Sequence, residues 1–207
     1  MCDGFAPELR QVTGSRRFSQ AISEGDGISV VAEIDGPEAA RRAEADGAEA
    51  LLVHSGNEAS LGQIRDAVSV PILFYWDGQN ADRLQGADAC IVDVAPSGAA
   101  SAPAVEHAHL ELDDDFELAL RVEDEGQLEG ALEQFDPELF VLAGRDEQAL
   151  EHVLELLPDV PAGKLAIAEL PRTTREAVEE LERAGVDAVI VYDGNVAELV
   201  GGSAPEV

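Results

Sequence analysis

The sequence predicts a single-domain α/β protein of the (β/α)8, or TIM-barrel, class. The first observation is the segment KLAIAELPRTTREAVEELERAGVDAVIVYD at 164–193, where two apolar runs flank a stretch with apolar residues at three- and four-residue steps. This pattern is typical of a strand, an amphipathic helix and a second, parallel strand. The second observation is a repeated phrase of a glycine, a small or acidic pair and four apolar residues, at 45–55, 84–94 and 183–193. The repetition indicates a tandem of βα units.

Eight short apolar runs bounded by turn residues are predicted to be strands. They lie at 29–34, 50–54, 71–76, 89–94, 117–122, 139–142, 165–168 and 188–191. Helical spacing follows each strand, at 37–46, 58–68, 80–84, loosely 104–112, 125–134, 147–156, between Thr173 and Gly185, and 195–200. In the seventh helix, Thr173 or Thr174 is expected to cap the start and Gly185 the end.

Eight consecutive parallel βα units close most naturally into a barrel, here near the lower size limit. The alternative is an open doubly wound sheet, which is disfavoured because no GxGxxG follows the first strand. Before the barrel, the spacing of Leu9, Val12, Phe18 and Ile22 predicts one or two helices, interrupted at Gly14, that cover its bottom or side. The predicted division is a helical preface at 1–26, the barrel at 27–203 and a tail at 204–207.

Composition predicts a soluble, cytoplasmic protein with one core. The chain has 207 residues, of which 45% are hydrophobic. No apolar run approaches the roughly 20 residues of a membrane span, and no charged and apolar leader opens the sequence. Cys2 and Cys90 are the only cysteines, one near the terminus and one in a predicted strand, so no disulfide is expected.

The charge is strongly negative, with 43 acidic against 13 basic residues and a net charge of −30. The acids are spread along the predicted helices, and Lys164 is the only lysine. Such a surface is typical of a protein adapted to high internal salt, where screening removes self-repulsion. The same charge argues against nucleic acid and anionic membranes as partners.

In a barrel of this class the chemistry belongs at the carboxyl ends of the strands. The side chains predicted there are mostly acidic: Glu33, Asp35, His54, Trp76, Asp77, Asp93, Glu123, Asp124, Arg145, Glu169 and Asp193. The sequence contains no CxxC, HExxH or P-loop motif and no spaced set of His and Cys, so neither a cofactor nor a dedicated metal site is predicted.

Several segments together resemble the indole-3-glycerol phosphate synthase family, in matching order and spacing. They are RRFSQAISEGDGISVVAEI at 16–34, VPILFYWDG at 70–78, LQGADACIVDV at 84–94, RVEDEGQLEGALE at 121–133, FVLAGRDE at 140–147 and AIAELPRTTREAVEELERAGVDAVIVYD at 166–193. The resemblance implies a (β/α)8 barrel of the tryptophan biosynthesis pathway that closes the indole ring of a carboxyphenylamino-deoxyribulose phosphate with loss of carbon dioxide and water. Glu33, Arg145 and Glu169 match family positions and form the candidate catalytic set.

The departures from the family fall on its chemistry. Lysines end strands 1 and 3 in the family, where this sequence has Asp35 and Tyr75. The family's strand 5 glutamate is Arg121 here, and its strand 6 asparagine is Ala143. The phosphate-binding Ser-Gly after strand 7 is Leu170 and Pro171, and the glycine ending strand 8 is replaced by Tyr192 and Asp193. A proline has no N–H to donate, and an aspartate repels an anion.

Each candidate residue also has a structural interpretation. Glu33 and Glu169 are interpreted as a carboxylate pair at neighbouring strand ends, for acid–base work or for holding a cation, or as remnants without a role. Arg145 is expected to neutralise them rather than to bind substrate. The remaining candidates for the ligand-contacting rim are Asp35, a base at His54 and aromatic surfaces at Tyr75 and Trp76, although the last three side chains are equally suited to structural packing.

Three functions therefore remain open. The first is an enzyme of the synthase lineage with weakened or absent activity, and the second is a non-catalytic barrel that serves as a binding or assembly module. The third is an enzyme like phosphoribosylanthranilate isomerase, whose cysteine in strand 1 is absent here. The expected ligand is an anionic or aromatic small molecule, and the oligomeric state is left open.

The charge makes a prediction about salt. Because 43 acids share one small domain, the thermal midpoint should rise as monovalent salt increases from dilute buffer to molar levels, where the screening length falls to about 3 Å. Circular dichroism melts at several salt concentrations measure it. An unchanged or falling midpoint would contradict the halophilic interpretation.

Overall fold

Eight parallel strands form a closed barrel. The computed structural model describes residues 16–24, 27–96, 116–192 and 196–200, together with Val105, Ala108 and Leu112. Each strand pairs with the next along the chain, and the eighth pairs with the first. The strands are β1 Ser29–Glu33, β2 Ala50–His54, β3 Ile72–Tyr75, β4 Ala89–Asp93, β5 Glu117–Val122, β6 Leu139–Ala143, β7 Leu165–Glu169 and β8 Ala188–Val191. The predicted (β/α)8 fold is confirmed.

Helices alternate with the strands in the described segments. They are α1 Arg17–Ser23, α2 Pro37–Ala45, α3 Glu58–Ala67, α4 Glu125–Gln134, α5 Ala149–Leu156, α6 Arg175–Ala184 and α7 Val196–Val200. The predicted helix at 80–84 is a 3-10 turn, Ala81–Leu84. Most of the predicted helix at 104–112 lies outside the described residues. None of these helices is both long and apolar enough to cross a bilayer.

Local side-chain bonds explain where two helices begin. α5 begins two residues later than the sequence predicts, because Asp146 Oδ1 accepts the N–H of Gln148 at 2.9 Å and holds that turn outside the helix. At α6, the Thr174 side chain accepts the N–H of Ala177 at 3.2 Å, as the sequence predicts. The α6 helix ends at Gly185, whose φ of 94° is in the left-handed region.

The strands are buried on both faces and separate two cores. Side chains alternate along a strand, so one set points into the barrel and the other toward the helices. Large apolar members of the inner set are Val31, Leu52, Leu73, Ile91, Leu139, Val141, Ile167 and Ile190. The outer set includes Val30, Leu51, Phe74, Val92, Leu120, Phe140, Leu142 and Val189, which pack against the helices. This arrangement explains why the strands read as continuous apolar runs.

Helix α1 closes the bottom of the barrel. Phe18 and Ile22 are buried at 0% and 2% exposure and belong to the inner core. Glu117, which begins β5, accepts the backbone N–H groups of Phe18 at 2.7 Å and Ser19 at 2.9 Å. A carboxylate is favourable there because the N–H groups of a helix's first turn have no partner within the helix. The part of the preface that the structure describes therefore lies at the barrel base.

The repeated phrase in the sequence is a structural device. Its glycines end the βα units with φ between 94° and 103°, as seen at Gly47, Gly86 and Gly185. The acidic residue that follows can then bind the preceding strand. Asp88 accepts the N–H of Ile72 at 2.7 Å, and Asp187 accepts that of Ala166 at 2.8 Å. The first part of the repeat thus joins adjacent strands at the base of the barrel.

The single lysine lies at the base as well. Lys164 directly precedes β7, and its Nζ donates to Asp136 Oδ1 at 2.6 Å. Its side chain is only 16% exposed. The ammonium therefore lies at the end of the barrel opposite the mouth.

The carboxylate of Glu117 should be a measurable source of stability. In Glu117→Gln the charge at the start of α1 is lost and one of two charge-assisted hydrogen bonds weakens, so we expect a loss of about 2 kcal/mol in the free energy of unfolding. Urea denaturation measures it. The control is Glu180→Gln, an exposed residue of α6, expected to change stability by less than about 0.5 kcal/mol. Equal effects would contradict the role of Glu117.

Candidate functional site at the barrel mouth

The mouth is a ring of eight side chains, one from each strand end. Each stands two positions beyond a residue of the inner core, so alternation points it into the barrel. In strand order the ring is Glu33, His54, Tyr75, Asp93, Arg121, Ala143, Glu169 and Tyr192. The ring is polar at all but one position and covers the apolar interior below it.

Arg121 is the centre of the charged part of the ring. Its Nε donates to Glu169 Oε2 at 2.5 Å and its Nη2 to Glu169 Oε1 at 3.3 Å. Its Nη1 bonds Asp93 Oδ1 at 3.2 Å and also Glu123. The side chain is 9% exposed. Burial opposes the charge, but the hydrogen bonds and charges of Glu169 and Glu123 outweigh it and raise the pKa of Arg121. One guanidinium therefore pairs with three carboxylates.

The two tyrosines of the ring donate to the same carboxylates. The hydroxyl of Tyr75 donates to Asp93 Oδ1 at 2.7 Å, and that of Tyr192 donates to Glu169 Oε1 at 3.0 Å. Burial raises the pKa of both phenols well above the ordinary value, and the neighbouring carboxylates raise it further. Both phenols therefore keep their protons at neutral pH and act as neutral donors.

Glu33 and His54 form the other side of the ring. His54 Nε2 lies 3.2 Å from Glu33 Oε1, but the alignment is not that of a hydrogen bond, and the buried Nε2 has no hydrogen-bond partner among the described residues. The imidazole stacks on Tyr75 with ring centroids 5.1 Å apart and lies 6.1 Å from the ring of Tyr192. A carboxylate, an imidazole and two phenol rings thus border one part of the mouth.

Glu33 and Glu169 do not end neighbouring strands, and that part of the interpretation is wrong. β8 lies between β1 and β7, and Tyr192, which follows β8, bonds Glu169. Glu169 is also paired with Arg121, a residue that the sequence marks only as a departure from the family. The two carboxylates therefore do not form an isolated, mutually repelling pair.

The sequence predicted that Arg145 neutralises Glu33 and Glu169, and this prediction is wrong. Its side chain is 73% exposed, and its Nε donates to Glu123 Oε1 at 2.6 Å. It lines a pocket beside the mouth with Asp146 and His152. The reason is position: Arg145 lies two residues beyond the end of β6, where Ala143 takes the inward place in the ring. Arg121, inside a strand, occupies the central position instead.

Two of the predicted rim residues also lie outside the ring. Trp76 is 1% exposed and packs in the outer core, and its Nε1 donates to the backbone oxygen of Gln79 at 2.8 Å. Alternation explains this, because Trp76 follows the inward-facing Tyr75. Asp35 is exposed beyond β1 and makes no hydrogen bond or ion pair with another described residue. His54 and Tyr75 are the predicted rim residues that belong to the ring.

The residues at the family's phosphate positions do not form an anion site. Leu170 is 2% exposed and packs in the outer core, and Pro171 has no N–H to donate. Tyr192 fills the inward position after β8, and Asp193 lies outside the described residues. Within the described segments, no three His, Cys, Asp or Glu side chains are arranged to hold a metal ion.

Comparison with known proteins shows similarity in sequence to one protein and in fold to another. The chain is 29% identical over 223 aligned positions to indole-3-glycerol phosphate synthase of Chlorobium phaeovibrioides, covering 93% of this chain and 80% of that protein. The fold is similar to that of phosphoenolpyruvate phosphomutase from Streptomyces platensis subsp. rosaceus, with a TM-score of 0.62 and 17% identity over 83% of this chain and 78% of that one. No family model matches the chain. The second similarity concerns the fold alone.

Arg121 should be essential for stability. Arg121→Met leaves Glu169, whose side chain is 14% exposed, and Asp93 without a counter-charge. We expect a loss of about 3 to 5 kcal/mol in the free energy of unfolding, the usual cost of breaking a buried ion pair from one side. Chemical denaturation at neutral pH and fixed salt measures it.

The matched control is Arg145→Met. It also removes one guanidinium charge paired with Glu123, but from an exposed side chain. Its expected cost is at most about 1 kcal/mol. The double variant Arg121→Met with Glu169→Gln should recover part of the loss, because the unpaired charge is removed as well. Equal losses for the two single arginine variants would show that Arg121 does not hold the ring together.

Proposed function

We propose that the chain is a divergent barrel of the indole-3-glycerol phosphate synthase lineage that no longer carries out the synthase reaction, and that its mouth binds a small molecule without closing an indole ring. The observation that carries the proposal is Arg121. It occupies the inward position of β5, where the family has a glutamate, and its guanidinium is taken up by Asp93, Glu123 and Glu169. A family carboxylate has become a cation that binds the protein's own acids.

The proposal also rests on the two lysines that act as proton donor and positive charge in the synthase family, because this chain lacks both. In the family, lysines at strands 1 and 3 supply an acid and positive charge close to the reacting carboxylate. Asp35 carries the opposite charge, and Tyr75 is a phenol whose hydroxyl is bonded to Asp93. A phenol with a raised pKa is a weak acid near neutrality. The ring therefore supports neither the acid nor the charge that this reaction uses.

The binding of a phosphate group is disfavoured for a separate reason. The donors of Arg121 are already used by carboxylates, and Leu170 and Pro171 replace a hydroxyl and a backbone N–H. An anion entering the mouth would also lie close to Glu33 and Asp93, whose charges repel it. The 29% identity to the Chlorobium synthase supports common descent, and we infer that the substrate site has since diverged.

A rewired enzyme is the second candidate, and it is favoured by the contact between Glu33 and His54. A carboxylate beside an imidazole is a common arrangement for general base catalysis near neutral pH. Tyr75 and Tyr192 would border such a site as neutral aromatic rings. This arrangement suits removal of a proton from a ligand that carries no phosphate.

We infer further that the protein works in the cytoplasm and binds neither nucleic acid nor anionic membranes. Cys90 is a buried free thiol in β4, which is typical of a reducing compartment. A net charge of −30 repels polyanions at long range.

The purified protein should not convert the carboxyphenylamino-deoxyribulose phosphate to indole-3-glycerol phosphate. Loss of one preorganised donor commonly costs about a hundredfold to a thousandfold, and here two lysines and the phosphate site are replaced together. The rate should therefore fall to background. The measurement is indole-3-glycerol phosphate fluorescence in molar salt, with rescue of a tryptophan auxotroph that lacks its synthase as a second readout.

An active synthase assayed in the same salt is the positive control. Turnover by the wild-type chain that is lost in Glu33→Gln, while the exposed Glu180→Gln keeps it, would overturn the proposal. Glu33, Arg121 and Glu169 would then form a working synthase site.

A further inference from the structure

The mouth has two unlike halves. In one half, Arg121 and Glu169 are 9% and 14% exposed and hold each other by two hydrogen bonds. In the other half, Glu33 and His54 are 33% and 34% exposed. Arg121 and Glu169 are covered and satisfy each other, and Asp93 beside them is exposed but paired with Arg121. Solvent, and therefore a ligand, reaches the second half.

The accessible half has an uncompensated carboxylate. Arg121 reaches Asp93, Glu123 and Glu169, and Arg145 reaches Glu123. Glu33 has no arginine or lysine within ion-pair distance in the described part of the chain, and its only charged-group neighbour there is His54. The charge of Glu33 also acts on Tyr192, whose pKa it helps to raise.

Aromatic rings border the same half. The imidazole of His54 lies 5.1 Å from the ring of Tyr75 and 6.1 Å from that of Tyr192, centroid to centroid. The edge of that imidazole faces Glu33, 3.2 Å away. Aromatic faces attract weakly hydrated cations such as ammonium and guanidinium groups. A small hard metal ion would need several oxygen ligands together, and this half supplies one carboxylate.

The balance of charge at the mouth excludes an anion. Four carboxylates, Glu33, Asp93, Glu123 and Glu169, stand against two guanidinium groups, those of Arg121 and Arg145. Both guanidinium groups are paired with carboxylates, whereas Glu33 has no arginine or lysine partner among the described residues. The local field therefore attracts positive charge.

We propose that the half of the mouth formed by Glu33, His54, Tyr75 and Tyr192 binds an organic cation, a quaternary ammonium that carries an aromatic group. Glu33 is the counter-ion, and the three rings contact the apolar and cationic parts of the ligand. The proposal rests on the proposed function, because the synthase's anionic substrate requires a mouth of opposite charge. The sequence predicts an anionic or aromatic small molecule, and the proposal keeps the aromatic character and reverses the charge.

The probe is benzyltrimethylammonium, and the comparison ligands are benzyl alcohol, which is neutral, and benzoate, which is an anion. Titration calorimetry with the full chain is run at one fixed salt concentration, the lowest at which circular dichroism shows an intact fold. We expect the cation to bind at least about tenfold more tightly than either comparison ligand, which corresponds to about 1.4 kcal/mol.

Three variants separate a site from general attraction to an acidic protein. Glu33→Gln should weaken binding of the cation about tenfold or more, whereas Glu129→Gln, which removes a charge from an exposed position on α4, should not change it. Tyr192→Phe keeps the aromatic ring and should retain binding, and Tyr192→Leu should lose it. Circular dichroism of each variant establishes that it is folded.

Several results would overturn the inference. They are benzoate binding as tightly as the cation, equal losses in Glu33→Gln and Glu129→Gln, or no binding of the cation at millimolar concentration. The synthase assay distinguishes this failure from that of the proposed function. Absent turnover with absent cation binding overturns only the inference, whereas indole-3-glycerol phosphate formation overturns the proposed function.

Discussion

The alternation of side chains along eight parallel strands is the constraint on which the rest of this structure depends. Closure of the barrel leaves each strand one inward position at its carboxyl end, so eight residues distant in sequence meet in one ring. A charged side chain at one of those positions needs a partner of opposite charge beside it, because the apolar core below excludes water. Here the ring holds carboxylates, and Arg121 is the residue that makes their proximity tolerable. Without a cation at position 121, Glu169 would be buried without a counter-charge.

The ring also explains how a barrel similar to a synthase can have a mouth of different character. The base, with Glu117 under α1 and Asp88 and Asp187 between strands, maintains the fold. None of these residues lies in the ring, so substitutions at the mouth leave the barrel intact as long as the ring's charges are satisfied. Residues at strand ends can therefore change while the order of strands and helices is retained. Similarity over most of the chain thus concerns the fold, whereas the ligand depends on a few positions.

The sequence predicted the fold better than the site for a physical reason. Strands and helices follow from local periodicity, and the predicted bounds of β2, β5, β8 and α4 are those of the structure. The site depends on pairs such as Arg121 and Glu169, which are 48 residues apart and are brought together only by barrel closure. One local signal was available, because Arg121 is the single cation in the strand ELALRV. Leu118 points outward, and Arg121, an odd number of residues further along the strand, points to the opposite face. Parity along that strand points Arg121 inward, and parity likewise points Trp76 outward. The placement of Arg145 was not predictable in this way, because it lies in a loop.

The single lysine is bonded to Asp136 at the barrel base. The scarcity of lysine has a consequence for the protein at alkaline pH. Twelve of the thirteen basic residues are arginines, which keep their charge to very high pH. Between neutrality and about pH 10 the net charge should therefore stay nearly constant, since acids are already ionised and few other groups titrate. The two tyrosines of the chain both lie in the ring, with pKa values raised by burial. Groups whose pKa is raised on folding stabilise the fold fully below their unfolded pKa, near 10, and lose that contribution as the pH rises above it. The two hydroxyls of the mouth and the buried thiol of Cys90, whose pKa burial also raises, are thus groups whose deprotonation weakens the fold in alkali.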